Sequence, residues 1–141
     1  MASTAPHDLN KLGQSLWLDN ITRDLLDSGT LKSYIETKSV TGLTSNPTIF
    51  DNAISKSSWY DAEIHRQLDA GHKGEALFFN LAIQDLSRAA ELFLPVYEST
   101  GTVDGFVSLE VSPLFGYDEE TFIESWSRLT TKPAIANGLC L

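Results

Sequence analysis

The sequence predicts an α/β fold in which parallel strands are joined by helices. Short apolar runs with strand character alternate with stretches of helical period, in the order strand, helices, strand, helices, strand, helix. No hairpin signal, such as Asn-Gly between alternating apolar runs, is present, so parallel strands with right-handed crossovers follow. One segment, Asp104 to Val111 (DGFVSLEV), is nearly all apolar except for Ser108 and Glu110, as in a strand covered on both faces.

The elements follow in chain order. Residues 1–12 read as a disordered lead-in. Gln14 to Asp19, QSLWLD, is a compact apolar run that ends in an acid. ITRDLLDSG has Ile21, Leu25 and Leu26 at helical spacing and Gly29 at its C-cap. LKSYIETK repeats the helical period at Leu31, Tyr34, Ile35 and Lys38. Val40 to Leu43 begins with Val-Thr, which suits a strand. Pro47 marks the turn after it, because a proline pushes the preceding residue, Asn46, out of helical geometry.

TIFDNAIS and SWYDAEIHRQLDAG read as helices, the second stopping at Gly71. Glu75 to Tyr97 forms one long helical pattern, with a stripe of Leu77, Leu81, Leu86, Ala89, Ala90 and Phe93. Pro95 falls at a kink or near its end, and Gly101 breaks the pattern. After the third strand, Asp118 caps a helix with Phe122, Trp126 and Leu129 on one face, and PAIANGLCL offers the start of a fourth strand. The helical aromatics Trp59, Phe78, Phe79, Phe93 and Trp126 are assigned to the core.

A chain of 141 residues is sized for one ordinary domain, and 42% hydrophobic with 21% charged residues is a globular composition. The net charge of -9 leaves no basic footprint, which argues against nucleic-acid and anionic-membrane partners. A few local donors still suffice for a small anionic metabolite. The lone cysteine, Cys140, allows neither an internal disulfide nor a cysteine zinc site. No run of 18 apolar residues is present, and MASTAPHDLN lacks a secretory apolar core, so a cytoplasmic location is expected.

Each strand candidate ends in polar residues that can do chemistry. The first gives Asp19, the second Thr44, Ser45 and Asn46, and the third Glu110. In a parallel βα arrangement these ends share one face, so Asp19, Asn46 and Glu110 are expected to converge. Two carboxylates and an amide can divide proton transfer and hydroxyl orientation among themselves. Structural roles stand beside this: Asp19 also suits a helix N-cap, and Asn46 an Asx turn before Pro47. A carboxylate within an apolar strand, as at Glu110, is costly unless paired or functional. His7, His65 and His72 show no metal-ligand spacing and are assigned to the surface; no metal site is expected. Asp118 to Glu120 reads as helix-start charge.

LWLDNITRDLLDSGTL, VTGLTSNPTIFDNAI and DGFVSLEVSPLFGYD resemble the transaldolases, in the family's order and over about residues 12–129. The resemblance implies a partial (β/α)8 TIM barrel, comprising the first three to four βα units over residues 13–129, with 130–141 a divergent tail. It implies transfer of a dihydroxyacetone unit between sugar phosphates in the pentose phosphate pathway, through a lysine Schiff base and without metal or organic cofactor. By resemblance, Asp19 is the acid/base of carbon–carbon cleavage, Asn46 binds substrate hydroxyls, and Glu110 works through a water. Thr44 and Ser108 are supporting neighbours. The family's nucleophilic lysine falls near Gly138 here, and Lys132 sits at the entry of that segment instead. The chain alone is therefore expected to lack turnover, and its open sheet edges to allow self-association. The alternative is a non-catalytic product that binds sugar phosphate or a protein partner. A carboxylate-metal hydrolase is a weaker third reading, for want of a suitably placed histidine.

Overall fold

A computed structural model describes residues 5–109. Glu110, the capped helix at Asp118, Trp126, the fourth-strand candidate, Lys132, Cys140 and the 130–141 tail lie outside the described residues.

The described chain runs α1 (Ala5–Lys11), β1 (Trp17–Asp19), α2 (Arg23–Asp27), α3 (Thr30–Lys38), β2 (Gly42–Ser45), α4 (Pro47–Ser55), a 3-10 turn (Ser58–Tyr60), α5 (Asp61–Asp69), α6 (Gly74–Ser99) and β3 (Val107–Leu109). Local chemistry sets the boundaries. Thr22 caps α2 by accepting from the Leu25 amide at 3.1 Å. Gly29, at φ 74°, provides the left-handed residue that ends α2 and admits α3. Asn46 caps α4 from extended geometry, and Pro47 follows at the first helical position, where its missing N–H costs nothing. The helix α6 continues through Pro95 to Ser99. Its last turn is closed by Thr100 Oγ1, which donates to the Val96 carbonyl at 2.8 Å.

The strands form one parallel sheet in the order β1-β2-β3. The order does not reverse, which is the winding of a barrel rather than of a doubly wound sheet. Leu18, Leu43 and Val107 share one row, and each packs into the main core with Ile21, Leu26, Leu31, Phe50, Leu86, Ala89 and Phe93 from the flanking loops and helices. Helices therefore cover one face of the sheet. Alternation sends Asp19, Thr44 and Ser108 to the other face, the inner face of a partial (β/α)8 barrel.

Three expectations are corrected. Residues 5–11 of the lead-in are helical, although no residue of α1 is buried. Asp8 in its first turn and Lys11 in its last complement the helix dipole, and His7 Nδ1 lies 3.0 Å from Ser39 Oγ. The second strand starts at Gly42 rather than Val40, because Ser39, at φ 54°, is still the left-handed cap of α3. Thr44 and Ser45 are consequently ladder residues, not exit residues. Trp59 is 51% exposed; the phase of the 3-10 turn buries its neighbour Tyr60 instead. Among the described residues no helix is long and apolar enough to cross a membrane.

The turn from α6 into β3 depends on Gly105, at φ 91°, where an added Cβ would lie 2.4 Å from the Tyr97 amide nitrogen. At Gly42 the nearest contact would be the Trp17 ring, at 2.5 Å, and Trp17 is 40% exposed and able to swing aside. Gly105→Ala is expected to destabilise the chain by about 3 kcal/mol, and Gly42→Ala by only about 1 kcal/mol. Urea denaturation of the two variants checks the order; equal losses contradict it.

Candidate active site

The two ends of the sheet treat their polar side chains differently. At the N-terminal end, polar groups lace the structure together. Ser15 Oγ donates to Asp104 Oδ2 at 2.8 Å, and the Leu16 amide donates to Thr41 Oγ1 at 3.1 Å. The Asp104 amide donates to Thr100 Oγ1 at 3.0 Å. Thr41 and Asp104 are both buried, so these bonds repay desolvation.

At the C-terminal end, Asp19, Thr44 and Ser108 stand side by side on three adjacent strands. With strands about 4.8 Å apart, the row spans about 10 Å. Asp19 is exposed and Thr44 half-buried. Ser108 is 1% exposed, and its Oγ is the one buried side-chain polar atom without a hydrogen-bond partner among the described residues. A buried hydroxyl left unpaired costs about 1–3 kcal/mol, and no bond among the described residues offsets that cost. Barrel enzymes place catalytic groups at this end of the strands and stabilising ones at the other.

The neighbours of the row are structural. Ser45 Oγ, fully buried, donates to the Ser108 carbonyl at 3.0 Å and ties the ends of β2 and β3 together. Asn46 Oδ1 accepts from the Ile49 amide at 3.0 Å, which commits the oxygen to the cap and leaves the Nδ2 amide to donate. Asp19 does not cap α2, since Thr22 does. The expected meeting of Asp19 with Asn46 is displaced by one layer: the register partner of Asp19 is Thr44, and Asn46 follows two residues later. Glu110 stands just beyond the described residues.

Sequence reasoning missed a polar cluster behind this face. Asp85, fully buried on α6, accepts from Tyr60 Oη at 2.8 Å and from Arg23 Nε at 3.0 Å. Arg23 Nη2 donates to Gln84 Oε1 at 3.2 Å, and its guanidinium lies 4.5 Å from the centre of the Tyr60 ring. The Arg23 amide donates to Tyr60 Oη at 3.1 Å. Burial raises the Asp85 carboxyl above its ordinary range, with a partial offset from Tyr60 and Arg23. Burial, and then the Asp85 carboxylate, push the Tyr60 hydroxyl upward. The available signal was Asp85 itself, four residues after Leu81 and four before Ala89 on an otherwise apolar stripe.

Glu63 extends the polar layer between α5 and α6. It accepts from Arg66 Nε at 2.7 Å, Gln67 at 2.8 Å and Gln84 at 2.7 Å. These bonds, Arg66 foremost, hold its carboxyl at about 2 against an ordinary 4.5. A carboxyl depressed on folding contributes stability that is complete above its unfolded pKa and is lost as pH falls through the folded one. Stability is therefore expected to fall between pH 4.5 and about 2, and Glu63→Gln to remove that part of the acid limb. Urea melts across this window check it: parallel slopes in the two proteins contradict the assignment. Separately, Ser108→Ala is expected to stabilise the chain by about 1 kcal/mol, by removing the unpaired hydroxyl. A loss of stability in the same melts would show that Ser108 is structural.

Residues 16–134 match the transaldolase/fructose-6-phosphate aldolase family. The chain is 40% identical over 124 residues to a transaldolase of Trichodesmium erythraeum, covering 88% of this chain and 33% of that protein. It is 39% identical over 121 residues to transaldolase 2 of Nostoc punctiforme, covering 86% and 32%. It is 42% identical over 122 residues to a transaldolase of Thiobacillus denitrificans, covering 86% and 34%. The chain thus spans about a third of the length of these relatives.

Proposed function

The chain belongs to the transaldolase/fructose-6-phosphate aldolase family, and on that premise we propose that it carries one wall of a sugar-phosphate site. The reaction of that site is transfer of a dihydroxyacetone unit between sugar phosphates through a lysine Schiff base, in the pentose phosphate pathway. Asp19 takes and returns the proton of the substrate hydroxyl as the carbon–carbon bond breaks and forms, a role open to an exposed carboxylate at a strand end. The Asn46 amide and the Thr44 and Ser108 hydroxyls orient the sugar hydroxyls. Glu110, two residues past Ser108 as Asn46 is two past Thr44, activates the water of Schiff-base formation and hydrolysis.

The observation that carries this reading is the contrast between the two sheet ends. Polar side chains at the N-terminal end are paired with protein, whereas the row Asp19–Thr44–Ser108 offers a carboxylate and two hydroxyls to something else. The 141-residue polypeptide by itself does not complete the chemistry on this reading. In the segment expected to bring the nucleophile, that position falls near Gly138, and Lys132 stands at the segment's entry. On this reading the chain works in the cytoplasm.

Fructose 6-phosphate titrated into the ¹⁵N-labelled chain is expected to shift the amides of Asp19, Thr44, Asn46 and Ser108. Intact mass after addition of borohydride is expected to show no reduced adduct. An adduct would place a working nucleophile, such as Lys132, in this chain and overturn the claim of inactivity. A folded chain whose site amides do not move would remove the sugar-phosphate site and leave the reading of a protein-binding product.

A further inference from the structure

Among the described residues, Asp19 is held without help from its own side chain. Among the described residues its carboxylate is assigned no protein partner, so its place is set by the main chain. On one side that means the ladder to Thr44. On the other it means the short turn Asn20–Thr22, which ends at Arg23, the first residue of α2. This turn is anchored twice. Ile21 is fully buried in the core, and Arg23 is gripped through both its backbone and its side chain.

The second anchor is unusual in its economy. The Tyr60 hydroxyl accepts from the Arg23 amide at 3.1 Å and donates to Asp85 at 2.8 Å, while Asp85 accepts from Arg23 Nε at 3.0 Å. One closed ring of bonds thereby joins the end of the β1–α2 turn, the 3-10 turn and α6. A far simpler link, the exposed Asp27–Arg88 ion pair, already ties the other end of α2 to α6. Burying a carboxylate and a guanidinium is costly, and apolar residues of the same volume would serve cohesion as well. What they would not do is fix the direction of the backbone at Arg23, four residues past Asp19.

We propose that Arg23, Tyr60 and Asp85 are positioning residues that hold the β1–α2 turn so that Asp19 stays in the row with Thr44 and Ser108. The functional half of this proposal rests on the sugar-phosphate reading above; the geometric half does not.

The test uses the full chain and two variants. Tyr60→Phe keeps the ring beneath the Arg23 guanidinium and deletes the hydroxyl that closes the ring of bonds. Asp27→Asn removes the other α2–α6 link and serves as the comparison. Backbone ¹⁵N order parameters at residues 19–22 are expected to fall from about 0.85 to below about 0.6 in Tyr60→Phe. In Asp27→Asn they are expected to stay unchanged, as are those of α6 in both variants. Affinity for fructose 6-phosphate is expected to drop about tenfold in Tyr60→Phe only, the scale of one lost orienting hydrogen bond. Unchanged order at 19–22 in Tyr60→Phe, or an equal loss along the whole chain, overturns the proposal. If the unmodified chain binds no sugar phosphate, the functional reading fails, while the order parameters still decide whether the cluster positions Asp19. Asp85→Asn, which preserves shape, carries the same expectation and keeps the test decisive should Tyr60→Phe fold poorly.

Discussion

The parallel register of β1, β2 and β3 is the constraint on which the rest of the molecule depends. Side chains alternate along a strand, so setting Leu18, Leu43 and Val107 in one row against the helices leaves no freedom for the next row. Asp19, Thr44 and Ser108 must then face the opposite way, together. A slip of one residue in any strand would turn one of these polar groups toward Ile21, Phe50 and Phe93 and take a leucine or valine out of the core. The hydrophobic core therefore enforces the geometry of the candidate site without touching it.

The same logic explains how polar groups are distributed. Where the fold needs cohesion, each buried polar atom meets a partner: Thr41 with the Leu16 amide, Ser45 with the Ser108 carbonyl, Asp85 with Tyr60 and Arg23. At the candidate site the pairing among the described residues stops. Ser108 combines both conditions, since its carbonyl accepts from Ser45 while its buried hydroxyl has no partner among the described residues. A backbone can be satisfied at a position whose side chain is held in reserve, and that is the signature expected of a group awaiting a ligand.

Much of this was legible in the sequence because it follows from periodicity. The sequence of elements, the parallel connections, the long helix from Gly74 and the polar character of the strand ends follow from where apolar residues recur, whereas the barrel order of the strands came with the family resemblance. What was not legible depended on phase and on contacts distant in sequence. The start of β2 moved because Ser39 holds a left-handed cap, a backbone fact without a residue signature, since serine rarely adopts it. Trp59, expected in the core, is exposed because a single 3-10 turn rotates neighbouring side chains by a different angle than an α-helix does, which buries Tyr60. The Arg23–Asp85 pair links residues 62 apart, and no local pattern announces such a partner. The fully buried acid on the α6 stripe was the one visible trace of it.

A chain that spans about a third of its relatives' length raises a physical question about what such a portion can be. Its core lies between the outer face of the sheet and the helices, and among the described residues it is built from Ile21 and Leu31 of the first unit, Phe50 of the second, and Leu86 and Phe93 of α6. The inner face contributes nothing to that core. The core and the candidate site thus occupy opposite faces of one sheet, and the polar anchor at Arg23 joins the two. It draws on the buried side, through Tyr60 and Asp85, to fix a turn whose other end is the exposed carboxylate of Asp19. Separation of the two faces is what lets a site be built row by row, each strand supplying one group at a height set by its neighbours. It also means that the geometry of this wall is a property of these residues, whatever completes the site around it.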